Sequence, residues 1–218
     1  MRKTIKRKII EYFPKITACY LLIFNKQSYL HQTGWLYSQK MTQALNKEGE
    51  QIPWMNYSIV SFLENRLNKN LRVFEYGSGF STSFYANHAH SVRSIEYDLA
   101  WWKFIKKIER VSSNIEIIYQ DKDVNGEYSR TIRKTETKYD VVVIDGRDRV
   151  NCIKQSIEQI SDSGVILLDD SDRDRYQEGV IYAKSKGFRV LDFQGLKPGG
   201  LEMYVTSLFY RDNNCFKL

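Results

Sequence analysis

Two stretches of the chain, 141–144 and 165–168, consist of unbroken apolar residues. Continuous runs of Val, Ile and Leu are typical of parallel strands that other elements cover on both faces. Similar short apolar stretches, bounded by Gly, Asp or Asn, recur along the second part of the chain. The predicted strands are, in chain order, 71–77, 91–98, 114–119, 138–146, 163–170, 187–193 and 203–210.

Between these strands, apolar residues recur at the three- and four-residue spacing of amphipathic helices. The predicted helices are 57–67, 81–89, 99–111, 150–161 and 175–186, and Asn56 is the expected N-cap of the first. This alternation predicts an open α/β sheet with right-handed crossovers and helices on both faces.

The connections between the strands vary in a way that refines this picture. The last two strands are joined through the short loop Leu-Lys-Pro-Gly-Gly, which leaves no room for a crossover helix. They are therefore expected to pair antiparallel, as a hairpin at the sheet edge. The long polar stretch 121–138 predicts a flexible rim or a functional lid.

Residues 1–55 are predicted to form a basic, helical N-terminal extension, and residues 56–218 the α/β domain. Ile5, Ile9 and Ile10 lie at helical spacing, and Pro14 interrupts the pattern. We interpret this segment as a helix that packs on the domain or on a second subunit, which would make a homodimer. Peripheral membrane contact through its Lys and Arg residues is the alternative. The segments 33–38 and 52–58 are expected to form a substrate-side cover.

Charge and cysteine content add two constraints. The 218 residues carry 33 Lys and Arg against 26 Asp and Glu, a net charge of +7, and much of the excess lies in the first eight residues. Nucleic acid is therefore disfavoured as a partner, because its binding needs a broad basic face. Cys19, Cys152 and Cys215 are far apart and form no CxxC pair, so we expect free thiols and a cytoplasmic location.

Carboxylates gather where the predicted parallel strands end, the edge at which open α/β sheets bind their ligands. Turns favour Asp and Gly in any case, but five successive strand ends share the feature. The candidate positions are Glu75, Gly77 and Gly79; Glu96 and Asp98; Asp121 and Asp123; Asp145, Gly146 and Arg147; and Asp169 and Asp170.

The first strand end points to an adenosine ligand with a positive end. Gly77 and Gly79 suit a close backbone approach, but Thr82 stands where a dinucleotide fingerprint has its third glycine. Glu75 would also repel a pyrophosphate. Glu96, at the next strand end, can accept hydrogen bonds from both hydroxyls of a ribose. S-adenosylmethionine (SAM) combines an adenosine with a cationic, phosphate-free tail; a nicotinamide cofactor remains the alternative.

The motifs Phe-Glu-Tyr-Gly-Ser-Gly, Ser-Ile-Glu-Tyr-Asp, Tyr-Asp-Val-Val-Val-Ile-Asp-Gly and Gly-Val-Ile-Leu-Leu-Asp-Asp resemble those of class I SAM-dependent methyltransferases. The resemblance runs from about residue 71 to the C-terminus and is closest to bacterial methyltransferase-like proteins often associated with surface-polysaccharide or secondary-metabolite pathways. It implies a Rossmann-like, mostly parallel seven-stranded sheet whose last strand is antiparallel. It also implies cofactor-binding roles for Glu75, Gly77, Ser78, Gly79, Glu96, Asp121 and Asp145.

The acceptor atom is expected to be an oxygen. The fourth strand ends in Ile-Asp-Gly-Arg-Asp-Arg, without the Pro-Pro turn of methyltransferases that act on nucleobase amines. Asp145 with Asp169 and Asp170 resembles the metal site of catechol-type O-methyltransferases, although Asp170 replaces an asparagine. Three hard oxygen ligands suit Mg²⁺ or Ca²⁺. Without a metal, Asp145 or Asp170 would act as a general base, and purely structural roles are the third possibility.

Arginines around the same strand ends are candidate substrate ligands. Arg147 and Arg149, with Tyr176, are predicted to contact a small-molecule or glycan-precursor acceptor. Arg173 and Arg175 would help to bind a phosphate or carboxylate on it, unless all four arginines form local salt bridges with Asp148, Asp172 and Asp174. A non-catalytic protein that only binds SAM is a further alternative.

Overall fold

In the computed structural model, residues 12–41, 43–108 and 112–218 are described. The chain separates into two compact units. One unit runs up to Gln51 and includes Pro198–Gly200; the other comprises Ile52–Lys197 and Leu201–Leu218. The domain boundary after residue 55 stays a prediction.

The second unit contains a seven-stranded sheet with the spatial order β3-β2-β1-β4-β5-β7-β6. Its strands are β1 (Arg72–Tyr76), β2 (Ser91–Glu96), β3 (Ile115–Tyr119), β4 (Tyr139–Ile144), β5 (Ile160–Asp169), β6 (Arg189–Gly195) and β7 (Tyr204–Tyr210). The first five strands pair in parallel, whereas β7 is antiparallel to both β5 and β6. The predicted Rossmann-like sheet, its antiparallel last strand and the hairpin at its edge are confirmed.

Helices cover the sheet and build the N-terminal unit. In chain order they are α1 (Pro14–Phe24), α2 (Tyr29–Gln32), α3 (Trp35–Met41), α4 (Tyr57–Arg66), α5 (Phe80–His88), α6 (Leu99–Ile108), α7 (Glu127–Arg130), α8 (Arg149–Gln159) and α9 (Gln177–Ser185). As predicted, Asn56 caps α4: its side chain accepts a hydrogen bond from the Ile59 N–H, at 3.1 Å.

The core lies on both faces of the central strands. All four residues of 141–144 and of 165–168 are at most 1% exposed, as the unbroken apolar runs predict. The edge strand β6 alternates between exposed and half-buried residues instead. An edge strand that is covered on only one face requires apolar residues at alternate positions, not an unbroken apolar run.

The strand order creates a crevice between β1 and β4. From β1 the chain continues to β2 on one side, and after β3 it returns to β4 on the other side. The connections that follow β1 and β4 therefore leave in opposite directions, and they open a space beyond the carboxyl ends of these two strands. Glu75, Gly77 and Asp145 all lie at this edge.

The stretch 121–138 is not a polar rim throughout. It contains α7 and a short 3-10 helix, Thr131–Lys134. Tyr128 and Ile132 are completely buried within the core beneath the sheet ends. The prediction of a flexible rim is therefore wrong for 127–134, because one turn of helix places these two apolar residues on the same inward face. The functional lid stays a prediction.

The N-terminal unit is held by local contacts. The Ser28 hydroxyl accepts a hydrogen bond from the His31 N–H at the start of α2, and Trp35 Nε1 donates to the Gly200 carbonyl at 2.8 Å. Pro14 is at the first turn of α1, where a missing N–H costs nothing. The predicted helix through Ile5, Ile9 and Ile10 lies outside the described residues. Within those residues, no helix has the length and apolar character needed to cross a membrane.

Candidate active site

A glycine turn follows β1 and forms one wall of the crevice. Gly77 has φ +97°, a left-handed conformation that favours glycine, and a Cβ there would lie 2.9 Å from the Gly146 Cα in the turn after β4. The N–H groups of Gly77 and Ser78 both donate to the Ile95 carbonyl, at 2.9 and 3.2 Å. The turn is thus fixed to β2 on one side and packed against the β4 turn on the other.

Replacing Gly77 by alanine is expected to destabilise the protein for two reasons. The left-handed backbone costs about 1–3 kcal/mol for a residue with a Cβ, and the contact with Gly146 adds to this. Gly187→Ala is the matched control: Gly187 has φ +82° with no atom within 4 Å of its Cβ position. Urea denaturation should show a larger loss for Gly77→Ala, and equal losses would contradict the close packing of the two turns.

Glu75 lies buried beneath this turn, and its carboxylate organises the turn from below. One oxygen accepts a hydrogen bond from Ser81 at 2.5 Å, and the other accepts from Thr82 at 2.6 Å and Ser94 at 2.5 Å. Ser81 and Thr82 belong to the first turn of α5, and Ser94 to β2. Glu75 is only 1% exposed and both of its oxygens are satisfied, so the geometry favours positioning of the turn over direct contact with a ligand.

Burial raises the pKa of Glu75 to about 7, although the three hydroxyl donors oppose the shift. In the unfolded chain the carboxyl ionises near 4.5. The folded protein therefore holds the proton more tightly, and its stability should fall as pH rises through 7.

We expect Glu75→Gln to abolish this dependence. Between pH 5 and pH 8 the free energy of unfolding of the wild type should fall by about 2.5 kcal/mol relative to Glu75→Gln, as measured by urea denaturation. Glu116→Gln, which changes an exposed carboxylate on β3, should follow the wild-type profile. If the free energy of unfolding of Glu75→Gln had the same pH dependence as that of the wild type, Glu75 would be ionised over the whole range from pH 5 to pH 8.

Glu96, at the end of β2, lies beside the glycine turn as predicted. One carboxylate oxygen accepts the N–H groups of Tyr97 and Asp98, both at 2.8 Å, and the other accepts the Ser78 hydroxyl at 3.3 Å. The side chain is buried, and burial raises its pKa against these donors. The two backbone bonds fix the carboxylate, while the bond to Ser78 is long enough to leave acceptor capacity for a ligand.

Asp121 is the least constrained of the predicted cofactor residues. It is exposed just beyond β3, where the Tyr119 hydroxyl donates to its carboxylate. The Gln120 N–H donates to the Glu96 carbonyl at 2.9 Å, so the ends of β3 and β2 are adjacent. The cofactor-binding role of Asp121 stays a prediction.

An acidic cluster follows β4 and β5, and a lysine that the sequence did not reveal joins it. Lys197 Nζ lies 2.5 Å from Asp169 Oδ2 and 2.6 Å from Asp170 Oδ1. Arg149 lies 2.8 Å from Asp145 Oδ1 and 3.9 Å from Asp170 Oδ2. The three predicted carboxylates are thus brought together, but each already has a cationic partner.

The carboxylates of the cluster differ in their affinity for protons. Burial and the neighbouring Asp169 carboxylate raise the pKa of Asp145, while the Arg149 guanidinium opposes them. For Asp170, burial also acts to raise the pKa, but the Lys197 ammonium outweighs it and the net shift is downward. The Asp145 side chain remains 34% exposed, whereas that of Asp170 is 9% exposed. The arrangement therefore favours Asp145 as a base and argues against the predicted catalytic role of Asp170.

The predicted metal site does not fit this donor set. Asp145, Asp169 and Asp170 carry three negative charges, and three cations, Lys197, Arg149 and Arg173, neutralise them at 2.5–2.8 Å. A divalent ion would have to displace the buried ammonium group, and its added charge would be uncompensated. Over the described part of the chain, no group of His, Cys, Asp and Glu side chains has the arrangement of a metal site. The Mg²⁺ or Ca²⁺ prediction is not supported.

A cleft of about 310 Å³ opens next to Asp145, beyond β4 and β5. It is lined by Gly146, Arg147, Asp148, Arg149, Val150, Arg173, Arg175 and Tyr176. The cleft begins at Gly146, the residue against which the cofactor-side turn packs. The cleft therefore lies on the β4 side of the contact between the two turns.

Two of the three predicted substrate residues, Arg149 and Tyr176, contact each other here. The Arg149 guanidinium donates to the carbonyls of Asp145, Gly146 and Asp169 as well as to the Asp145 carboxylate, so it links the ends of β4 and β5. The buried ring of Tyr176 lies under this guanidinium, 5.2 Å away. The geometry argues against Arg149 as a substrate ligand, whereas Arg147 is exposed and points to no carboxylate within the described residues.

Comparison with solved structures identifies the architecture. A precorrin-6y C5,15-methyltransferase from Geobacter metallireducens aligns over 72% of this chain and 88% of its own, with 16% identity and a TM-score of 0.53. A Streptococcus mutans protein in complex with S-adenosylhomocysteine (SAH) aligns over 69% and 94%, with 18% identity and a TM-score of 0.51. A methyltransferase-like protein from Silicibacter pomeroyi aligns over 70% and 84%, with 23% identity and a TM-score of 0.50.

The chain shares the Rossmann-like fold of these solved structures. At these identities the likeness extends to the fold alone. No protein-family model matches the sequence, and neither does any curated protein. What this fold binds must therefore be argued from its own residues.

Proposed function

We propose that the protein is a SAM-dependent methyltransferase that transfers the methyl group to a hydroxyl oxygen of a small molecule or glycan precursor in the cytoplasm. The observation that supports the proposal is that two carboxylates, Glu96 and Asp145, lie on the two sides of the crevice. On one side Glu96 is fixed beside a glycine turn; on the other, Asp145 has a raised pKa and partial exposure.

The residues of the crevice fit SAM. A Cβ at Gly77 would lie 2.9 Å from the Gly146 Cα, so only glycine lets the turns after β1 and β4 approach this closely. Glu96 suits a ribose diol, and its carboxylate places a negative group on this side of the crevice, which suits a cationic ligand. The neighbour from Streptococcus mutans, in complex with SAH, supports the same ligand class. When bound, SAM supplies an electrophilic methyl group next to a positive sulfur.

Asp145 would act as the general base. Its raised pKa brings the carboxylate closer to the basicity that proton abstraction near neutral pH requires. As the acceptor oxygen takes the methyl group, the hydroxyl proton passes to the Asp145 carboxylate. Arg149 holds this carboxylate through one oxygen, Oδ1, and leaves the other for the acceptor. Lys197 lies 2.5 Å from Asp169 Oδ2 and 2.6 Å from Asp170 Oδ1, and so fixes the two carboxylates that neighbour Asp145.

A nicotinamide-dependent oxidoreductase is disfavoured by the first turn of α5. Thr82, at the position of the third fingerprint glycine, is completely buried and donates to Glu75 at 2.6 Å. The Thr82 hydroxyl also accepts the Gly79 N–H at 3.1 Å, which occupies a donor that a pyrophosphate would need. A buried carboxylate directly below adds repulsion.

Isothermal titration of the full chain with SAM, SAH and NAD⁺ tests the proposal. We expect saturable heat with SAM and SAH and none with NAD⁺. Binding of NAD⁺ alone would replace the proposal with the oxidoreductase. If SAM binds, transfer of its labelled methyl group to a small-molecule extract should be insensitive to EDTA. Binding without any transfer would favour the non-catalytic SAM-binding protein.

A further inference from the structure

The cleft beside Asp145 carries an excess of positive charge that its own acids do not neutralise. Four arginines and one aspartate line it. Arg149 pairs with Asp145, and Arg173 pairs with Asp170 at 2.6 Å. Among the described residues, Arg147 and Arg175 have no carboxylate within 4 Å. The expected local salt bridges to Asp148, Asp172 and Asp174 are therefore not what holds these two arginines.

Both unpaired arginines are held by aromatic rings instead. The Arg147 guanidinium lies 5.0 Å from the Tyr97 ring centroid and donates to the Tyr97 hydroxyl at 2.9 Å. The Arg175 guanidinium lies 4.8 Å from the Tyr176 ring centroid. Stacking on a ring orients a guanidinium without using up its charge, so each keeps donors for an anion.

The helix that begins in the cleft adds to the positive potential. Asp148 precedes α8, but its side chain makes no capping hydrogen bond to the first turn. Instead its carboxylate accepts the Asn125 N–H and the Asn151 side-chain amide, each at 2.8 Å. The N-terminal end of an 11-residue helix thus faces the cleft without the usual side-chain cap, and such an end favours a negative ligand.

We propose that this cleft binds a phosphate group on the methyl acceptor, with Arg147 and Arg175 as its ligands. The inference rests on the proposed function and names the class of acceptor: a phosphorylated hydroxyl compound whose phosphate lies in the cleft while a hydroxyl reaches Asp145. Arg147 and Arg175 outnumber Asp148, the one unpaired acid of the lining, so the cleft keeps a net positive charge, to which the helix end adds. A phosphate offers three strong acceptor oxygens to the two guanidinium groups, one more than a carboxylate does. Arg147 and Arg175 act here as binding residues and take no part in proton transfer.

Phosphorus NMR of the full chain with inorganic phosphate, in the absence of SAM, tests the inference. We expect saturable line broadening with the wild type. The phosphate affinity of Arg147→Gln/Arg175→Gln should be lower by at least about tenfold, because each charged hydrogen bond contributes strongly to binding. Arg133→Gln, which changes an exposed arginine outside the cleft, should behave as the wild type. Arg147→Lys/Arg175→Lys keeps the charge and should recover part of the affinity.

Unchanged phosphate affinity in the double glutamine variant would overturn the inference. So would equal competition by acetate, which would assign the cleft to carboxylates. Thermal melts of all variants establish that they are folded. SAM titration of the same variants separates the two proposals: SAM affinity should be unchanged by the arginine substitutions, and phosphate binding is measured without SAM.

An independent observation concerns α1 in the N-terminal unit. None of its 11 residues is buried, although most are apolar, and Ile16, Tyr20 and Phe24 are each at least 60% exposed. At 11 residues the helix is far too short to span a bilayer. The sequence before it places Arg or Lys at five of the first eight positions, 2, 3, 6, 7 and 8.

We infer that α1 and the preceding basic segment bind an anionic membrane surface. The apolar helix would enter the interface while the basic residues contact acidic headgroups, and this charge complementarity favours a membrane over a second copy of the chain. Co-sedimentation with vesicles of phosphatidylserine and phosphatidylcholine should retain the protein, and vesicles of phosphatidylcholine alone should not.

Leu21→Glu/Phe24→Glu should lower the vesicle partition coefficient by about tenfold or more, because it places two charges in the apolar layer. Ile181→Glu is the control, since it changes an exposed apolar residue on α9. Light scattering distinguishes the alternative. A dimer that the α1 variant dissociates, together with no vesicle binding, would overturn the membrane inference in favour of a homodimer.

Discussion

Asp145→Asn is expected to lower the rate of methyl transfer by about 10²–10⁴-fold while SAM affinity changes little. Asparagine has the same shape and can still accept the hydrogen bond from Arg149, so the end of β4 should keep its structure. It cannot take the acceptor proton. The measurement is transfer of labelled methyl from SAM to a small-molecule extract, with SAM affinity from titration calorimetry.

The pH profile separates a base from a structural residue. Because the pKa of Asp145 is raised, the wild-type rate should increase with pH beyond the ordinary range of an aspartate, as the carboxylate ionises. A variant with residual activity should lack this rise. Asp162→Asn, which changes an exposed aspartate in β5 away from the crevice, is the control. A rate within tenfold of the wild type for Asp145→Asn would exclude Asp145 as the base.

Glu96→Gln is expected to weaken SAM binding by about 10–100-fold, since a hydrogen bond to a charged group contributes about 1.5–3 kcal/mol. Glutamine can still accept the N–H groups of Tyr97 and Asp98, so the turn after β2 should persist. Its amide nitrogen replaces an acceptor oxygen, however, and a ribose hydroxyl can no longer donate to it.

Titration calorimetry with SAH measures this effect without interference from turnover. Glu116→Gln on the neighbouring strand β3 removes an exposed carboxylate that is paired with Arg93, and it should bind SAH as the wild type does. If Glu96→Gln bound SAH with unchanged affinity, the ribose would have to lie elsewhere, and the proposed cofactor orientation would be wrong.

The sheet was accessible from the sequence because each strand carries its own signal. A short unbroken apolar run is typical of a strand that is buried on both faces, and both such runs form central strands of the sheet. Carboxylates at strand ends then follow from topology, since parallel strands all end at one edge. This is why Glu75 and Glu96 could be placed near each other.

The pairing within the acidic cluster was less accessible, for two different reasons. Lys197 lies on the loop before β7, 27 residues beyond Asp170 in the chain, and no periodicity relates the two positions. Arg149 is only four residues after Asp145, but Asp145 lies in the turn after β4 and α8 begins at Arg149. The helical pairing rule therefore did not apply, and the contact depends on the shape of the turn.

The stretch 121–138 shows a further limit of pattern reading. Tyr128 and Ile132 are spaced by one helical turn, but the surrounding residues are polar and the helix has only four residues. Such a short element has no amphipathic pattern of its own. Its apolar residues are buried because the sheet ends leave a space for them, which only the tertiary structure shows.

The contact between Gly77 and Gly146 has a consequence for how this protein can evolve. The two positions lie on different connections. A Cβ at Gly77 would require the Gly146 backbone to move, whereas a Cβ at Gly146 would first meet the Tyr128 hydroxyl. Substitution at Gly77 should therefore be tolerated only together with a change in the turn after β4, and substitution at Gly146 only together with a change at Tyr128. A library randomised at Gly77 and Gly146, and selected for folded protein, would show whether these contacts restrict the residues that each position accepts.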